Sequence, residues 1–122
     1  MSRVTFSQED ILRSKLLPPA WYPVLVKSYA KEQAGTDGSD LHVFSLVVET
    51  GPFAGVPVRN QISEKALGMG IEFVEACGVP VQAGVAIEFD KLVGKKLDMY
   101  SQRGEYKGKP NNQAVTFRLR KA

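Results

Sequence analysis

The order in which strand-like and helix-like runs follow one another restricts this chain more than any single residue does. Residues 21–29, 41–49 and 56–62 are rich in aromatic and β-branched side chains, and turn-forming stretches at 34–40 and 51–55 divide them. Pro23 marks the first run as the start or the edge of a sheet, because it has no N–H to give a ladder. Ser63 then offers a helix N-cap, Leu67, Ile71 and Val74 recur at helical spacing, and Gly78 stands at the stop. Gly68 and Gly70 each cost a helix about 1 kcal/mol relative to Ala, so its regular part begins near Met69. Residues 95–103 alternate through Leu97, Met99 and Ser101, and residues 114–120 through Val115, Phe117 and Leu119, which predicts a hairpin turning over 104–113.

Three strands, one helix and two strands make an all-β fold with one helix. Closed so that the first strand meets both halves of the sheet, that order is the five-stranded Greek-key barrel of the OB type, with its helix between strands three and four. An α+β roll or a small open sheet fits the same pattern. Residues 79–93 alternate weakly through Val85, Ile87 and Phe89 and also fit a helical turn near 89–93; they are read as a connector. The chain divides into an arm over 1–19, where Ser7 caps a short turn through Ile11 and Leu12 before Pro18-Pro19, and one barrel domain over 20–122.

The 122 residues suit a single core, and 43% hydrophobic content with no long block of like charge indicates a folded domain. Residues 1–8 lack the apolar run of a secretory signal and no membrane-length apolar stretch occurs, which leads to the expectation of a cytoplasmic protein without membrane contact. With one cysteine, Cys77, and one histidine, His42, no internal disulfide and no Cys/His metal cluster is expected, and a site made only of carboxylates stays open. Cys77 reads as a small hydrophobe rather than a nucleophile, and no phosphate-binding glycine motif is present. Neither enzymatic activity nor a cofactor is expected.

Charge is distributed unevenly. From Lys91 onward nine Lys or Arg face only Asp98 and Glu105, whereas the residues before Lys91 hold seven basic and eleven acidic side chains. Clustered cations attract a polyanion and release its counterions, which directs attention to nucleic acid. Tyr100, Arg103, Tyr106, Lys107 and Lys109 interleave aromatic and basic residues around the last hairpin, the combination that a sequence-tolerant single-strand binder uses for stacking and phosphate capture. Lys95 and Lys96 precede that hairpin. Arg59 falls on the opposite parity from Val58 and Ile62, beside Pro57 and Gln61; if that face is outward, Arg59 lies on the usual binding surface of strands two and three, while Arg118 and Arg120 are read as bystanders to binding. His42 and Phe44 share one parity of strand two, where they serve either a ligand surface beside Arg59 or, with Leu46 and Val48, the core. Trp21 is read as an anchor for the arm.

Phe6-Ser7-Gln8-Glu9-Asp10, Leu17-Pro18-Pro19-Ala20-Trp21-Tyr22-Pro23, Gly51-Pro52-Phe53-Ala54-Gly55, Val93-Gly94-Lys95-Lys96-Leu97 and Glu105-Tyr106-Lys107-Gly108-Lys109 follow one another in an order that resembles the small OB-fold single-stranded DNA-binding proteins carried by bacteriophages. The resemblance implies binding of single-stranded DNA with little sequence preference, in phage or mobile-element replication or recombination, inside a bacterial host and alongside replication or recombination proteins. It leaves the oligomeric state, including a homo-oligomer, open. The acidic C-terminal tail by which many such proteins recruit partners has no counterpart here, since the sequence ends in Arg120-Lys121-Ala122. The rival expectation is an OB-type protein–protein or assembly module that binds no nucleic acid.

Overall fold

In the computed structural model, residues 3–33, 38–106 and 108–120 are described. A short helix, α1 (Gln8–Ser14), precedes β1 (Ala20–Gln33), β2 (Asp40–Val48) and β3 (Pro57–Ser63). A 3₁₀ segment (Glu64–Gly70) leads into α2 (Ile71–Ala76), a connector holds a 3₁₀ turn (Phe89–Leu92), and β4 (Lys96–Tyr106) and β5 (Lys109–Leu119) complete the chain. All five strands belong to one antiparallel sheet in the order β3-β2-β1-β4-β5. The helical insertion between β3 and β4 stands where the sequence order requires it.

β1 joins the two halves of the sheet because it is long enough to pair twice. Its first part, Ala20 to Leu25, faces β4, and from Val24 onward it faces β2. The register shifts between Val26 and Ser28, so Lys27 is a bulge residue at the place where the strand changes partners. Pro23 lies one residue before pairing with β2 begins and needs only its carbonyl, which accepts from the Glu49 N–H at 2.9 Å. A proline inside the central strand is tolerated there because its missing N–H falls outside the β2 ladder.

The alternating inward residues Val24 and Val26 of β1, Phe44, Leu46 and Val48 of β2, Val58 and Ile62 of β3, and Leu97 and Met99 of β4 form the core. Phe44 is fully buried, with ring centroids 4.9 Å from Phe73 and 5.0 Å from Tyr29. His42 is buried on the same inward face, so neither residue shares a surface with Arg59, whose partner across the ladder is Ser45.

The helical insertion departs from its expected phase. Ser63 does cap it, its Oγ accepting from the Lys65 N–H, and Gly78 ends it at φ 89°. A kink at Ala66 and the 3₁₀ winding shift the register, however, so Phe73, Val74, Ala76 and Cys77 are buried while Leu67 and Ile71 stay exposed. The change of winding is tied to close packing at Gly70, where a Cβ would stand 2.7 Å from Ile62 Cδ1. Burial pushes the Cys77 thiol up to about 11, so it packs as a neutral group.

The residues over 104–113 were expected to form a turn, yet nearly all of them are paired strand: Arg103 faces Asn112, Gly104 faces Asn111, and Tyr106 faces Lys109. A two-stranded ribbon that runs into solvent needs no apolar alternation, so its Asn, Gln and Gly content imitates a loop. The arm, in turn, is tied to the domain. Leu17 is fully buried, its N–H donates to Asn112 Oδ1 at 2.7 Å, and Asn112 Nδ2 donates to the Lys15 carbonyl at 2.8 Å. Tyr22, not Trp21, anchors it from β1, donating its hydroxyl to the Pro18 carbonyl at 2.6 Å.

Candidate nucleic-acid interface

β3 and β5 are the two edges of the sheet, and no ladder joins them among the described residues. Part of the free edge of β5 is satisfied by α2, because the Phe117 N–H donates to Glu72 Oε1 at 2.7 Å and the Thr116 hydroxyl donates to the same oxygen. Elsewhere the edges face each other across a polar groove of about 630 Å³. Arg59, Asn60 and Gln61 line it from β3, and Glu105 with Asn111 through Ala114 line it from the β4–β5 ribbon.

Arg59 is exposed but oriented. Its Nη2 donates to Glu32 Oε1 at 3.3 Å, and with the Gln61 amide turned so that its oxygen faces the guanidinium, that oxygen accepts from Arg59 Nε at 2.7 Å. Gly104 leaves room for the amides opposite, since a Cβ there would stand 2.4 Å from Gln113 Oε1 and 2.9 Å from Asn111 Oδ1. A guanidinium among amide donors and acceptors suits phosphate oxygens and the hydrogen-bonding edges of unpaired bases. Arg103 and Lys109 are exposed on the same ribbon. Tyr106 is described by its backbone alone, as the last residue of β4, and Lys107 lies outside the described residues.

The remaining expected residues occupy another surface. Lys95 and Lys96 stand at the entry to β4, with Lys96 Nζ 3.8 Å from Glu49 Oε2. Tyr100 is half-buried on the outer face, edge-on to Trp21 at 5.6 Å, and the Arg118 guanidinium lies 3.9 Å from the Trp21 ring centre. Arg118 also reaches the buried Asp98 at 3.3 Å. Arg120 donates to the Val24 carbonyl at 2.6 Å and pairs with Glu49 at 2.5 Å. Both arginines therefore hold the sheet together, and neither lines the groove between β3 and the ribbon. The pairing Asp98↔Arg118 makes that role readable once the strand register is known.

A second cleft, of about 430 Å³, lies between the inner face of the sheet and the segment from Glu64 to Phe89. Tyr29, His42, Val74, Ile87 and Phe89 form its inner part, and Leu67, Ile71 and Val85 its rim. Burial raises the Tyr29 pKa, and its hydroxyl lies 2.6 Å from His42 Nδ1. His42 Nε2 lies 2.5 Å from Glu64 Oε1, so both ring nitrogens have a partner. Sequence patterning missed this cleft because its residues come from five separate elements and the connector, and the helix phase was displaced.

Among the described residues no group of His, Cys, Asp and Glu could hold a metal ion, and no helix is long and apolar enough to cross a membrane. Compared with known proteins, the chain matches no family model and no curated protein sequence.

Proposed function

We propose that the chain is a single-stranded DNA-binding protein with little sequence preference, and that its sheet is an OB-type barrel whose ligand groove runs between β3 and the β4–β5 ribbon. The observation that carries this reading is the polar groove in which Arg59 lies among the amides of Asn60, Gln61, Asn111, Asn112 and Gln113. The strand order and the helical insertion between β3 and β4 support the barrel, because they follow OB connectivity with the two edge strands facing each other.

In this mechanism Arg59, Arg103 and Lys109 capture phosphates, releasing counterions, while the amides contact whichever base edges are presented. Lys95 and Lys96 contribute long-range attraction from the start of β4. A role in phage or mobile-element replication or recombination follows from the sequence resemblance and belongs to the same proposal. The test is a titration of a fluorescent oligo-dT at two salt concentrations. Saturable binding that weakens steeply with salt supports the proposal, and no saturable binding at low salt refutes it.

A further inference from the structure

Arg59, the guanidinium that lines the polar groove, is held by two acceptors of different charge on different strands. Gln61, two residues along β3, offers its side-chain oxygen to Nε at 2.7 Å and to Nη2 at 3.2 Å. This neutral group fills the fork formed by those two nitrogens. Glu32, at the far end of β1, offers Oε1 to Nη2 at 3.3 Å. No partner holds Nη1 among the described residues.

A guanidinium has two forks that fit an oxyanion, Nε with Nη2 and Nη1 with Nη2. Gln61 takes the first, so the second is the one a phosphate would use, and Glu32 already holds one of its two nitrogens. The carboxylate also cancels the charge by which Arg59 attracts a polyanion. Glu32 is not required to aim the side chain, because Gln61 fixes the planar group at two nitrogens. Nor is its grip firm: the two side chains are 52% and 49% exposed, and an exposed pair with one long bond is weakly held. Lys31, the neighbouring cation on β1, is bound to Asp40 at 3.1 Å and leaves Glu32 to Arg59.

We infer that Glu32 is an internal competitor for phosphate at Arg59. Binding exchanges its carboxylate for a phosphate oxygen of the single strand, and this autoinhibitory contact keeps affinity below what the groove can reach. The inference rests on the DNA-binding reading of the groove and adds a regulatory contact to it.

The test is a fluorescent oligo-dT titration at low salt with the full chain and three variants. Glu32→Gln should tighten binding about two- to fivefold, the range set by one exposed ion pair. Glu32→Asp keeps the charge but draws the carboxylate back by one methylene, and it should tighten binding too. In a chain that also carries Arg59→Ala, Glu32→Gln should lose most of its gain, because the contact it relieves is gone. All of these side chains are exposed, so thermal unfolding should match wild type. A gain from Glu32→Gln that is absent from Glu32→Asp, or that survives in full beside Arg59→Ala, is a general charge effect and overturns the inference. Affinity that both Glu32 variants leave unchanged or lower overturns it as well, with DNA binding itself intact. Absence of saturable binding by every chain refutes the DNA-binding reading and the inference together.

Discussion

The inner face of the sheet and the β4–β5 ribbon are built from opposite materials. On the inner face Tyr29, Phe44, Phe73, Phe89 and Phe117 are linked through ring contacts, and Phe73 and Phe117 stand 5.0 Å apart. The ribbon from Arg103 to Asn111 buries none of its described side chains and is held mainly by its own ladder. One region supplies stability and the other supplies accessible polar chemistry, so substitutions in the two should separate folding from binding.

The largest effect is expected at the aromatic core. Phe44→Ala should destabilise the chain by about 3–5 kcal/mol in urea or thermal unfolding, because it removes a fully buried ring and leaves a cavity. Gly70→Ala comes next, at roughly 1–3 kcal/mol, since its methyl group would overlap Ile62. On the groove side, Arg59→Ala should reduce oligo-dT affinity roughly five- to tenfold, about 1–1.4 kcal/mol, while unfolding stays within about 0.5 kcal/mol of wild type. A large loss of stability with unchanged affinity would reverse the roles assigned to Arg59 and the core.

The smallest expected effect is one of pH. The Cys77 thiol has its pKa raised to about 11 in the folded chain by burial, so the neutral form is favoured there. Its contribution to stability is fully present below the pKa of the unfolded thiol and is lost as pH rises from that value through about 11. Cys77→Ala should therefore flatten the fall of the unfolding midpoint over that alkaline window. Tyr22 and Tyr29, also raised by burial, would leave a residual slope.

The same contrast explains what could be read from sequence. Core strands announced themselves because Phe44, Leu46 and Val48 alternate with less buried neighbours, and the capped start and glycine stop of the helical insertion were equally legible. The phase of that insertion was not, because the close approach of Gly70 to Ile62 and the kink at Ala66 are tertiary effects. Nor was the ribbon: polar pairing in solvent leaves no hydrophobic period, so a ladder resembled a loop. The parity of β3 separates Arg59 from Val58 and Ile62, but the grouping of Arg59 with Asn111 through Gln113 depends on how two sheet edges meet, which no local pattern encodes.

The central claim is that the groove between β3 and the ribbon binds single-stranded DNA. The most direct measurement is an oligo-dT titration over a range of salt concentrations, comparing wild type with a chain carrying Arg59→Ala, Arg103→Ala and Lys109→Ala. The account predicts saturable wild-type binding, weaker binding by the triple variant, and a salt dependence shallower by up to about three phosphate contacts. Wild-type binding that is absent at low salt, or an affinity and salt slope that the three substitutions leave unchanged, would contradict it.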